Sequence, residues 1–324
     1  MPDLLADIPA IPPELLDAAQ RGQLVIFIGA GVSSLVGARS WTDFAEALLV
    51  DLAARGLLSF GDLDQLRPLD ARKKISVAID IYDANGITPD FRTLLNAHVA
   101  ADSVPSVYTD LYSIGTSIVT TNYDEWLDAL ALRPIAPPEN VTLGPADART
   151  GPRPTALQPI VSIGLQQLTI EKLARPGNVV HIHGSVTLPN TMILTARQYL
   201  DHYREEVVLE FLEQLFGRYT VLFIGYGLEE DEILEHVLRK RSQSKERRHC
   251  RLFPCFSHQT LLTTHLASYS LNHCSTLLVQ YSIDRRGHAQ LADVISAWAA
   301  QLRPQVRGQL YLEKVKILEQ GLEA

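Results

Sequence analysis

Four short apolar runs constrain this chain more than any other feature. Leu24 to Ile28, Ser117 to Thr120, Val179 to Ile182 and Thr220 to Ile224 are continuous and do not alternate with polar residues. That is the pattern of strands buried on both faces of a parallel sheet. Each run stops at a cluster of Gly, Asn or His. An open α/β sheet places its ligands there, beyond the carboxyl ends of its strands. Helical periodicity fills the intervals. Phe44, Leu48, Leu49 and Leu52 follow Ser40 and Thr42, either of which suits a helix N-cap. An α/β fold is expected.

The segment between the first two runs is too long for one crossover helix, so it reads as an inserted helical subdomain over about 43–115. Arg72 to Tyr82 and Phe91 to His98 have helical patterns inside it. A second insertion, about 131–178, is proline-rich: eight of the 18 prolines fall between 131 and 176. Long stretches of this kind are lids, partner surfaces or disordered segments. Within it, Ile160 to Ile170 is apolar enough to pack. Beyond the fourth run, a helix over 231–241, strands over 252–256 and 276–281, and helices over 291–302 and 308–322 are expected. The 324 residues read as a single domain with 46% hydrophobic and 20% charged residues, ample for a sizeable core.

A net charge of −8 argues against nucleic-acid or membrane-surface binding by the whole surface. One basic run stands out: Arg239, Lys240, Arg241, Lys245, Arg247, Arg248 and Arg251. It reads as a solvated helix end or as a phosphate or partner patch. It lacks the interleaved aromatics of a single-strand platform. No apolar run reaches membrane-span length, and residues 1–13 lack the basic start of a secretory signal, so a cytoplasmic location is expected. Cys250, Cys255 and Cys274 are too few for a four-thiolate zinc site and read as reduced thiols.

The strand ends carry the chemistry. Gly29-Ala30-Gly31-Val32-Ser33 closes the first strand. Such a turn is either a plain strand-to-helix corner or a phosphate cradle, with backbone N–H groups and a serine hydroxyl as donors. The third glycine of the dinucleotide fingerprint is replaced by Ser34. Thr121-Asn122-Tyr123-Asp124 closes the second strand. Asp124 suits a helix cap, whereas Asn122 carries an amide that can orient a ribose hydroxyl and a water together. His181-Ile182-His183-Gly184 closes the third. Strand alternation puts His181 and His183 on one face. No third metal ligand lies nearby, so His183 is the candidate general base and His181 a structural histidine. Gly184 leaves room for substrate. Gly225-Tyr226-Gly227 closes the fourth strand, with Asp231 as a candidate cap beyond it.

Taken in this order, the four turns resemble the sirtuin superfamily. Gly29-Ala30-Gly31-Val32-Ser33 looks like its phosphate turn, Thr121-Asn122-Tyr123-Asp124 like its Q-N-x-D turn with Thr121 for glutamine, and His183-Gly184 like its H-G pair. Gly225-Tyr226-Gly227 stands in place of its G-T-S segment. The resemblance implies a Rossmann-like parallel sheet with helices on both faces over about 20–290. It departs from the protein-deacylating members: residues 185–249 hold no cysteine, where those members carry a zinc ribbon. That departure, Trp41 after the phosphate turn and the proline-rich insertion are similar to bacterial sirtuin-like domains of anti-phage defence systems.

The resemblance implies an NAD hydrolase that starves an infected cell by NAD depletion, with NAD as substrate and no zinc. In this reading Asn122 and His183 are catalytic. Gly29, Ala30, Gly31 and Ser33 hold the pyrophosphate, Asp124 supports Asn122 or a ribose hydroxyl, and Gly225 and Tyr226 line the adenosine side. It also implies a homo-oligomer and a HerA-type ATPase as a partner. That ATPase is a separate chain, because no G-x-x-x-x-G-K-[ST] motif occurs here. Two other readings remain open: an NAD-dependent protein deacylase, and a non-catalytic module that senses NAD or ADP-ribose.

Overall fold

The computed structural model describes residues 5–96, 104–132, 159–226 and 249–322. The four apolar runs form the centre of a seven-stranded, all-parallel sheet. Its strands are β1 (Leu24–Ile28), β2 (Ser117–Thr120), β3 (Val161–Ile163), β4 (Val179–His181), β5 (Thr220–Ile224), β6 (His249–Cys255) and β7 (Thr276–Ser282). Their order is β3-β4-β2-β1-β5-β6-β7. From β1 the chain adds β2, sets β3 at the edge and fills in β4 between them, then crosses back and builds outward through β5, β6 and β7 on the other side. The reversal falls between β1 and β5, which makes their carboxyl ends the topological switch point.

Side chains alternate across the sheet. Leu24, Ile26 and Ile28 face a core shared with α1 (Pro13–Gln20), α7 (Ser106–Ser113), α8 (Trp126–Ala131) and α12 (Gln290–Leu322). Val25 and Phe27 face the opposite core, shared with α10 (Glu206–Arg218). All five residues of β1 are buried, which explains its uninterrupted apolar sequence. The fold is therefore the expected Rossmann-like α/β sheet with helices on both faces. Removing one such side chain, as in Phe27→Ala, costs about 3–5 kcal/mol because the cavity left behind cannot close fully.

The helical segment after β1 has a core of its own. α2 (Ala30–Leu35) leaves the first turn, and α3 (Trp41–Ala54), α4 (Phe60–Leu66), α5 (Ala71–Ala84) and α6 (Phe91–Leu95) follow. Phe44, Leu48, Leu52, Ile75, Ala78 and Tyr82 are its buried centre. Of the two candidate caps, Ser40 takes the role: its hydroxyl accepts from Asp43 N, and Thr42 lies inside α3. α6 stops at Asn96, which adopts the left-handed conformation (φ 55°). α7 belongs to the sheet core, not to this module. Val186, Met192 and Leu194, from the loop after β4, join the helical core. The module is thereby fastened to the segment that carries His183.

One expectation changes and another gains detail. The tail is one helix, α12, that runs through Pro304, not two helices. Proline removes one backbone hydrogen bond, but Leu302 and Val306 on either side are buried in the sheet core, which holds the axis through the break. The apolar stretch from Ile160 resolves into edge strand β3 and two short 3-10 turns, with Leu168, Ile170 and Leu173 buried against the α10 face. The helix expected over 231–241, Gly227, most of the basic run and the prolines between 133 and 158 lie outside the described residues. Among the described residues, no helix is long and apolar enough to cross a membrane.

Candidate functional site

The two glycine turns meet at the switch point. Gly29 N–H donates to Ile224 O (2.9 Å), and Gly31 N–H donates to Gly225 O (2.8 Å). A Cβ at Gly31 would come within 2.8 Å of that carbonyl, and one at Gly225 within 2.6 Å of Val32 N. Gly225 also has φ +71°, a conformation that side chains other than glycine's resist. The close approach these glycines permit is thus between β1 and β5. Gly29 in turn lies against the Tyr226 ring.

Beside this junction lies a cavity of about 220 Å³, lined by Ala30, Ser33, Asn122, Asp124, His183 and Tyr226 among others. Six of the expected site residues therefore share one space. Gly29, Gly31 and Gly225 are not part of the lining.

Asn122 is held on both sides. Its Nδ2 donates to Gly29 O (3.1 Å), and its backbone N–H donates to Thr120 Oγ1 (3.0 Å). Oδ1 is left as the acceptor of this amide. His181 fixes the same turn from below. Its Nδ1 donates to Asn122 O (3.1 Å) and its Nε2 to Asp128 Oδ1 (2.7 Å). Both contacts favour a ring that carries protons on its two nitrogens. Burial opposes that charge, but the Asp128 carboxylate outweighs it and the His181 pKa is raised.

Asp124 does not cap α8, whose first turn has no side-chain cap. Its Oδ2 instead accepts from Ser33 Oγ (2.6 Å) and Tyr108 OH (2.9 Å). Burial raises the Asp124 pKa against these two donors and the nearby His181 charge. The Ser33 hydroxyl is thus directed to Asp124, so any phosphate donor in this turn is backbone. Ala30, exposed at the start of α2, is placed for that.

His183 and His181 do not share surroundings, because the strand ends at His181 and the alternation ends with it. His183 packs against α9 (Ala196–His202) and the residue after it. Its Nε2 lies 2.9 Å from Tyr203 OH, and the rings of Tyr199 and His202 stand edge-on at 5.7 Å. Burial, reinforced by His202, pushes the His183 pKa down to about 3, so the ring is neutral at neutral pH. Gly184 plays a different part from the one expected of it. Its φ is +84°, and a Cβ would sit 2.2 Å from Thr191 O. It admits the returning 191–193 segment, whose Ile193 N–H donates to His183 O (3.0 Å), and not a substrate.

Sequence reasoning missed the residues that reach the cavity from helices. Tyr199 and Tyr203 come from the α9 segment, Arg39 from the loop before α3 and Arg72 from α5. Trp41 also lines it, stacked on Tyr123 at 6.1 Å. A signal existed for α9: Tyr199, His202 and Tyr203 recur at i, i+3, i+4, which places them on one helix face. Among the described residues no three His, Cys, Asp or Glu side chains are grouped to hold a metal ion.

Residues 116–274 match the model of the SIR2-like domain. The span runs from the start of β2 through α11 (Thr260–Cys274) and includes Asn122, Asp124, His183 and Tyr226; the glycine turn at 29–33 precedes it. Over this span, just under half of the chain, the protein is thus similar to a SIR2-like domain.

Proposed function

We propose that this chain hydrolyses the bond between nicotinamide and ribose in NAD. One observation carries the reading: His183 and an anchored Asn122 converge on a single cavity at the carboxyl ends of β2 and β4. The cavity, about 220 Å³, is smaller than an ordinary ligand pocket of roughly 300–1,000 Å³. It suits the nicotinamide-ribose half of the dinucleotide, with the rest of the molecule at its mouth.

Each residue has a task. Asn122 Oδ1 accepts from a ribose hydroxyl or from the attacking water and so fixes its direction. His183 accepts the proton of that water at Nε2 as the water oxygen bonds to the ribose carbon. The C–N bond breaks, its electron pair stays on the ring nitrogen and nicotinamide leaves neutral. His183 then returns the proton to solvent. The aromatic wall of Tyr199, Tyr203 and Trp41 excludes further water. By the same resemblance we propose that NAD depletion serves anti-phage defence in the cytoplasm, through a homo-oligomer paired with a separate HerA-type ATPase subunit.

The test is nicotinamide release from NAD by the purified chain, with His183→Ala as control and no acyl peptide present. Release that depends on His183 supports the hydrolase. One observation favours a second reading, a nucleotide-sensing module: Tyr203 already occupies Nε2 of His183. That version predicts NAD binding without release of nicotinamide, even with a partner present. Release only with an acetyl peptide would make the chain a deacylase.

A further inference from the structure

The glycine turns leave few backbone donors for an anion, because the N–H groups of Gly29 and Gly31 are both bonded to carbonyls of the β5 turn. Ser33 is likewise directed to Asp124. A dinucleotide seated here needs cationic donors from elsewhere. Two guanidinium groups line the same cavity, Arg39 and Arg72, against a single lining carboxylate, Asp124, which is already bonded to Ser33 and Tyr108.

Neither forms an ion pair within 4 Å with a carboxylate among the described residues, and Asp70 is coupled to Arg72 only at longer range. Arg39 Nη1 donates to Thr93 O (3.2 Å) and Leu94 O (2.6 Å) at the end of α6. This fixes the plane of the guanidinium and leaves the Nε and Nη2 donors for another acceptor. Arg72 lies over the Tyr199 ring, with Cζ 4.9 Å from its centroid. That ring stands edge-on to His183 at 5.7 Å. A guanidinium stacked on one side keeps its whole fork of N–H groups for bidentate contact with phosphate oxygens. Structural roles explain why each side chain is ordered; they do not explain why two cations face a cavity whose one acid is already bonded.

We propose that Arg39 and Arg72 form a two-guanidinium clasp for the diphosphate of the dinucleotide at the mouth of the His183 cavity. The proposal rests on the NAD reading above and adds the group that binds the phosphates. It assigns the helical module a share of the substrate site, since Arg72 comes from α5. The clasp recognises the diphosphate, not the base, so ADP-ribose is held as NAD is, and nicotinamide riboside is not.

Binding of ADP-ribose and of nicotinamide riboside is measured by calorimetry on the whole chain, for wild type, Arg72→Gln, Arg72→Lys and Arg39→Lys, each checked by thermal melting. ADP-ribose affinity is expected to fall about tenfold or more in Arg72→Gln, the scale of a lost charged hydrogen bond. A smaller loss is expected in Arg72→Lys and Arg39→Lys, which keep the charge but not the fork. Nicotinamide riboside affinity should change less than about twofold, and inorganic pyrophosphate should compete with ADP-ribose but not with the riboside. Wild-type ADP-ribose binding that no arginine variant weakens overturns the clasp and leaves the NAD reading standing. A wild-type chain that binds neither ligand overturns both.

Discussion

The hydroxyl of Tyr203 lies 2.9 Å from Nε2 of His183, so the candidate base of the site is hydrogen-bonded before any substrate arrives. With the phenol donating, Nε2 is the basic nitrogen and Nδ1 carries the proton. Substrate must displace this phenol or pass its proton through it. Displacement is the simpler route and predicts a clear contrast. Tyr203→Phe retains at least about a tenth of wild-type turnover, whereas His183→Ala loses roughly a hundredfold or more, the usual scale of one acid–base group. Nicotinamide release measures both. Equal losses would place Tyr203 in the proton path.

Asn122 braces the first glycine turn as well as facing the cavity. Asn122→Ala therefore has two expected effects. Turnover falls about a hundredfold through lost orientation. Stability falls by about 0.5–1.5 kcal/mol, because Gly29 O loses one of its two donors and keeps the Val32 N–H (3.1 Å). Denaturant unfolding separates the two. An intact turnover in a destabilised variant would confine Asn122 to the turn.

The glycines differ in what they are for, and alanine substitution exposes the difference. Gly184→Ala puts a Cβ 2.2 Å from Thr191 O at φ +84°, so backbone must move. Gly37 has a similar φ of +86° but open space around it. Gly37→Ala should cost about 1 kcal/mol from conformation alone. Gly184→Ala should cost several times as much and lower turnover, since the bond from Ile193 N to His183 O lies in the strained segment. Urea midpoints compare them, and equal costs would refute the steric account.

The sheet was legible for a physical reason. β1, β2, β4 and β5 are covered on both faces, so their sequences are continuously apolar and end where the chain must turn polar. β3 escaped notice because an edge strand of three residues carries no periodicity. Asn122 and His183 were legible because they sit at strand ends. Arg39 and Arg72 were not, since each reaches the cavity from a helix or loop away from the strand ends, and only the closed fold brings them there. The role of Gly184 was misread for a related reason. Its neighbour Thr191 is only seven residues on, yet nothing in the sequence announces that the chain doubles back.

Acid stability gives a last test, and its sign follows from three histidines. His183 and His202 have folded pKa values pushed down by burial, to about 3 and about 4 from 6.5. Between pH 6.5 and about 4 the unfolded chain binds protons that the native chain refuses, so stability falls as pH is lowered through that window. Each full proton is worth about 1.4 kcal/mol per pH unit. His181 acts in the opposite sense. Its pKa is raised, so its contribution is fully present below 6.5 and is lost as pH rises through its folded value. Below pH 6.5 the His181 contribution no longer changes, so the two depressed histidines set a loss of stability from 6.5 down to about 4, which the raised carboxyl of Asp124 partly offsets. His202 isolates the effect, because both its ring nitrogens are buried without a hydrogen-bond partner among the described residues. His202→Phe removes one refusing group and two orphaned polar atoms. It should be at least as stable as wild type at pH 7 and lose less stability between pH 6 and 4.5. An unchanged slope would mean that His202 is protonated in the native chain, contrary to its buried, unpartnered surroundings.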